Sequence, residues 1–155
     1  MKTLRYKISI ESDIKRSLKN FKKDIHNILS NPKSWKVNFV QNDTNFDLEI
    51  TLASAKNIKT YCGFSGLSCA DPTNNKVWIN NSRWTNGAKP SKLSLKNYRI
   101  YLINHEVGHL LGFGHAVPKK NRRVPVMNQH TLGLKGGLPY MWPLPSEQKK
   151  LKQML

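Results

Sequence analysis

Hydrophobic and polar residues alternate along LRYKISI, residues 4–10, which predicts a first β-strand. The next pattern has helical spacing. Ile14, Leu18, Phe21, Ile25, Ile28 and Leu29 form an apolar stripe, and Lys15, Arg16, Lys19, Lys22 and Lys23 take the other face. Ser12 or Asp13 can cap this long N-terminal helix, and Asn31-Pro32 ends it. Alternation returns in residues 35–40 (WKVNFV) and 46–52 (FDLEITL), with turn-prone QNDTN between them, so a hairpin or two neighbouring strands is expected. Residues 53–73 read as irregular. KVWIN, residues 76–80, reads as a short strand, either a sheet edge open to an extended peptide or an interior strand. Residues 94–111 turn helical again and are apolar on most sides in their second half, the pattern of a buried central helix. Glycine and proline then punctuate an irregular stretch, and a last short helix over residues 146–155 opens with Ser-Glu. Strand, long helix, strands, central helix and irregular tail describe one α+β domain over residues 1–155.

Charge adds a second layer. The chain carries 26 Lys plus Arg against 9 Asp plus Glu, a formal +17. Such a field attracts acidic partners: nucleic acid, anionic lipid or acidic polymer. The lysines are dispersed, however, and a solvated basic surface is the more ordinary explanation, ahead of a dedicated acidic partner. No apolar run approaches the roughly 20 residues that span a bilayer. The N-terminus lacks a signal-peptide core, so the chain either stays inside a cell or comes from a precursor whose leader is absent from this sequence. Cys62 and Cys69 bracket a glycine-containing loop and can be a disulfide or two free thiols. Their spacing matches no compact zinc pattern.

The densest chemistry lies in HEVGHLLGFGH, residues 105–115, which holds three of the five histidines. Residues four apart on a helix sit on one face with Cβ atoms about 6 Å apart, so His105 and His109 can aim at one point. Zinc takes imidazole nitrogens at about 2.0–2.1 Å. Glu106 lies one step round the helix, out of reach of the metal but within reach of a water there, where a general base belongs. Gly112 can adopt the left-handed backbone that stops the helix and turns the chain back, bringing His115 in as third ligand. Three histidines plus water make an open catalytic site for one zinc ion. His105, Glu106 and His109 are also polar groups in an apolar helix, where unpaired polar side chains are costly and a metal supplies the partner.

The stretch fits HExxHxxGxxH and so resembles the metzincin clan of zinc peptidases. The resemblance implies His105, His109 and His115 as ligands, Glu106 as base, and Met127 in PVMN as the methionine of a turn beneath the metal. YCG, VWINNSRW, YRIYLINHEVGHLLGFGH, PVMNQHTLGL and MWP further resemble a small zincin-like domain family, mostly of unknown function, from secreted bacterial proteins. That likeness covers roughly residues 60–143. Further cysteines expected after the third histidine and near the GG of LKGG are missing here, which removes a second disulfide and weakens an extracellular address. The two resemblances imply a zincin-like domain with a small mixed sheet, and the one to the metzincin clan implies a zinc-dependent endopeptidase acting on a peptide or protein. Gln129, His130 and Tyr140 are the candidates to stabilise the oxyanion. Two other classes stand beside this: a basic nucleic-acid- or anionic-surface-binding domain with a structural zinc, and a zinc hydrolase of a non-protein amide or ester.

Overall fold

Five strands and five helices make up an α+β fold. The structure, a computed structural model, describes all of residues 1–155. In chain order the elements are β1 (Thr3–Ile10), α1 (Leu18–Leu29), β2 (Asn38–Gln41), β3 (Leu48–Ala53), α2 (Ala55–Cys62), β4 (Cys69–Asp71), β5 (Lys76–Asn80), α3 (Asn81–Asn86), α4 (Leu95–Leu110) and α5 (Pro145–Met154). Short 3-10 turns at Lys89–Ser91 and His130–Leu132 complete it. The strands form a mixed sheet in the order β2-β1-β3-β5-β4, parallel except for β4, which runs antiparallel at one edge. No helix is long and apolar enough to cross a membrane.

The expected hairpin does not form. β2 pairs in parallel with Thr3–Tyr6 on one side of β1, and β3 pairs in parallel with Tyr6–Ile10 on the other. The chain leaves β2 beside Tyr6, crosses β1 and rejoins it at the same residue without reversing. Asp47 marks the crossing: its carboxylate accepts from the Arg5 backbone amide at 2.8 Å and pairs with the guanidinium at 3.1 Å. KVWIN is likewise interior, between β3 and β4, and the open edge beside it belongs to β4.

One sheet face is apolar. Tyr6, Ile8, Ile50, Leu52, Val77 and Ile79 are buried there with Phe21 and Ile25 of α1 and Tyr98, Leu102 and Ile103 of α4 in one core. Each such fully buried aliphatic or aromatic side chain stabilises the fold by about 1.5–3 kcal/mol. The opposite face is polar, with Ser9, Glu49 and Thr51 hydrogen-bonded together and Lys76 paired to Glu49. α1 begins later than its apolar stripe suggests. Glu11 donates its backbone amide to Leu52 O and Ile14 donates to Glu11 O, which holds this segment in a turn. Ser17, not Ser12 or Asp13, then caps the helix by accepting from Asn20. The stretch expected to be irregular contains α2, capped by Ser54 and stopped at Gly63 with φ +84°, and the edge strand β4. Cys62 ends α2, Cys69 opens β4, and the two form a disulfide.

Candidate functional site

α4 carries the first two histidines from the middle of the molecule. His105 and Glu106 are buried, and His109 is half-buried near the helix end. The helix closes at Leu111, Gly112 takes φ +109°, and Phe113 donates back to Gly108 O at 3.0 Å. That positive φ favours glycine, and it turns the chain so that His115 comes back over the helix. One ligand nitrogen from each of His105, His109 and His115 lies within 4.8 Å of the others.

Two of the rings are oriented by backbone carbonyls. His105 Nδ1 is 2.8 Å from Val126 O, and His109 Nδ1 is 2.8 Å from Phe113 O. A carbonyl only accepts, so each Nδ1 carries the proton and each Nε2 presents a bare lone pair, the state in which imidazole ligates a metal. Val126 O comes from a tight turn over 125–128, closed by Asn128 N–H to Pro125 O at 3.0 Å. Met127 is buried in this turn, and a Cβ added at Gly108 would meet its sulfur at 2.5 Å. The helix between the histidines is therefore pressed against Met127, and glycine is what allows it. Trp35 braces the same region, stacking on Phe113 with centroids 4.7 Å apart and donating Nε1–H to Asn104 O at 2.8 Å.

Burial shapes the electrostatics. Desolvation pushes Glu106 up to about 8 and His105 down to about 3; His115 is lowered by desolvation first and by the nearby His109 ring second. Charge at this site is disfavoured unless a partner offsets the desolvation, and three neutral nitrogens beside a carboxylate suit a divalent cation of zinc's preferences. Nitrogens bound to one zinc lie about 3.3 Å apart, so a separation of up to 4.8 Å closes with small ring rotations.

The histidines and Glu106 open on a cavity of about 520 Å³. Its far wall is the loop after α2 and the start of β4, including Phe64, Leu67, Ser68 and Cys69. That loop is held from behind: Asn80 Nδ2 donates to Ser65 O at 2.7 Å, and Arg83 Nε to Gly66 O at 2.7 Å. Of the three oxyanion candidates, Gln129 lines the cavity. His130 is fully buried, stacks on Tyr101 at 4.0 Å, and directs Nε2 at Tyr140 O at 2.8 Å. Asn128 Nδ2 donates to its other nitrogen at 3.1 Å, so His130 is a structural strut. The Tyr140 ring lies under Arg123, 4.6 Å away, outside the cavity lining. Sequence reasoning missed Glu147 of α5. Its buried carboxylate accepts from the amides of Val126, Met127 and Leu144 at 2.9, 3.1 and 2.9 Å, and so fastens the turn beneath the histidines. A Ser-Glu helix opening signals a carboxylate near a helix start, but not one shared with a turn twenty residues earlier.

Comparison with known proteins sets this geometry in context. A family model described as Protein of unknown function (DUF3152) matches residues 1–141. No curated protein matches the chain. Among solved structures it is similar to archaemetzincin from Methanopyrus kandleri, with 13% identity over 97% of this chain and 94% of that one and a TM-score of 0.56. It is also similar to a zinc-dependent peptidase from Methanocorpusculum labreanum, with 10% identity over 94% and 99% of the two chains and a TM-score of 0.55. At such identities the likeness shows the fold, which is zincin-like.

Proposed function

The chain belongs to the family described as Protein of unknown function (DUF3152), and from the chemistry of its site we propose that it is a zinc-dependent metalloendopeptidase. The observation that carries this reading is the convergence of three histidine nitrogens beside Glu106 on one cavity wall. His105, His109 and His115 would hold one zinc ion, and a set of three protein ligands is the one expected of a catalytic rather than a structural zinc. When bound, the ion supplies Lewis acidity, polarising a carbonyl and lowering the pKa of water toward about 7.

The remaining steps belong to the chain's own residues. Glu106 is the general base, taking a proton from the attacking water and delivering it to the leaving amine. Gln129 is the side chain assigned to the developing oxyanion, because it alone of the three candidates lines the cavity. Met127 is the floor of the site, and its turn fixes His105 through Val126 O. The unpaired edge of β4, whose Cys69 and Ala70 line the cavity, suits an extended peptide. A binding domain with a structural zinc leaves Glu106 and the open cavity without a role.

The test is cleavage of a diverse peptide library by the zinc-loaded protein beside a chelator-treated sample. Cuts lost on chelation and restored by zinc are expected. One zinc per chain with no cuts would overturn the peptidase reading in favour of another substrate or a binding role.

A further inference from the structure

The positive charge is distributed unevenly. Residues 72–155 carry fourteen Lys and Arg but only two carboxylate side chains, Glu106 and Glu147, and both are buried. The carboxylates of the earlier half include Asp43, Asp47 and Glu49, each paired with a cation. Apart from Lys76, which pairs with Glu49, the later half therefore offers solvent its cations without a competing carboxylate side chain.

Part of this surface is a built groove of about 500 Å³ between the segments 117–125 and 138–146. Lys119, Arg122 and Arg123 line it, no acidic residue does, and Val117 and Leu138 stand beside them 78% and 48% exposed. Its walls are fixed to each other. Val124 N–H donates to Leu138 O at 3.0 Å, Leu138 N–H to Arg122 O at 2.7 Å, and Asn121 N–H to Gly136 O at 3.0 Å. Exposed aliphatic side chains interleaved with unpaired cations, on a rigid frame, mark a surface that a partner completes.

We propose that this groove docks an acidic polypeptide segment in which aliphatic residues alternate with Asp or Glu. The chemistry selects among anionic partners. The apolar lining is aliphatic and proline, whereas single-stranded nucleic acid is held by aromatic stacking. The cations line a concavity, whereas a membrane surface is met by a protruding apolar face. Placement adds a consequence that rests on the peptidase reading. Val117 follows His115 by two residues and Pro125 precedes Met127 by two, so the strap that carries the groove starts and ends at the site. Its occupant is then an acidic stretch of the protein substrate, held outside the cleft.

The test is fluorescence anisotropy of the full chain with a labelled peptide alternating Glu and Leu, and with its Gln/Leu counterpart. Lys119→Glu/Arg122→Glu alters the groove. Lys19→Glu/Lys23→Glu on exposed positions of α1 makes the same total charge change elsewhere. The acidic peptide should bind and the neutral one should not; the groove variant should lose about tenfold in affinity or more, and the α1 variant less than about twofold. Equal losses in both variants would reduce the effect to general attraction and overturn the proposal. So would groove-dependent binding of a single-stranded oligonucleotide or phosphatidylserine vesicles in preference to the peptide. Cleavage of short neutral peptides is read separately: the groove variant should retain it, and its absence in the wild type would sink the peptidase reading while leaving the binding result standing.

Discussion

Glu147→Ala removes one side chain and strands three amides. The Val126, Met127 and Leu144 N–H groups all donate to this carboxylate at 2.9–3.1 Å in a buried setting. Each unsatisfied buried donor costs about 1–3 kcal/mol, so the set amounts to at least about 3 kcal/mol even if water entering the vacated space recovers part. For a domain of this size each kcal/mol moves Tm by about 2–4 °C, which predicts a fall of about 6–12 °C or more. Glu147→Gln separates hydrogen bonding from charge. Oε1 accepts from Val126 and Leu144, and Oε2 from Met127 alone, so an amide with its oxygen in the Oε1 place loses one bond. It should cost about 1–3 kcal/mol. Because the loosened turn carries Val126 O, both variants should also weaken zinc binding, by about tenfold or more for the alanine. Urea and thermal unfolding followed by circular dichroism, with zinc titration, read all three quantities. An alanine variant within about 1 kcal/mol of wild type, or a glutamine variant as damaged as the alanine, would mean that the three amides do not depend on this carboxylate for their hydrogen bonds.

Two further outcomes follow from the same structure. The Cys62–Cys69 bridge closes a loop of sequence separation 7, and constraint of so short a loop contributes about 2 kcal/mol. Cys62→Ser/Cys69→Ser should lower the urea-derived unfolding free energy by that amount, and since Cys69 lines the cavity, KM should rise more than kcat falls; unchanged stability in oxidising buffer would count against the clip. His130 is held down to about 4 by burial, against about 6.5 in the unfolded chain. The unfolded state then takes up the proton first, so this contribution is complete above pH 6.5 and is lost as pH falls toward 4, by about 3 kcal/mol at most. In metal-free protein, His130→Gln should flatten that part of the stability–pH curve, and parallel curves for the two proteins would contradict the assignment.

The legible parts of this molecule are the local ones. His105 and His109 share a helical face because of spacing alone, Glu106 sits one step round from them, and Gly112 announces the turn that returns His115. α1 was readable from its apolar stripe, and α4 from a second half that is apolar on most sides and largely buried. Pairings across the chain were not. Strand alternation in residues 35–40 and 46–52 fits a hairpin as well as a crossover, and what decides is β1, some thirty to forty residues away, inserting between them. α2 buries only Ile58 strongly, too little for a stripe, although Ser54 and Gly63 mark its two ends. The partners of Glu147 and Asn80, the 126–127 amides and the 65–67 carbonyls, are backbone groups that carry no side-chain signature, so neither contact is legible in the sequence. His130 looked reactive for the opposite reason: its residue type suggested chemistry that its buried hydrogen bonds have already taken up.

If the histidines and Glu106 form a hydrolytic site, Glu106→Ala removes its base and nothing else. Zinc content, unfolding and peptide-library cleavage would be measured on the same preparation beside the wild type. Such a site predicts one zinc per chain in both, similar stability, and cleavage in the wild type that falls by about a hundredfold or more in the variant, the scale set by loss of a general base. A variant that keeps zinc and fold and cleaves as the wild type does would contradict it.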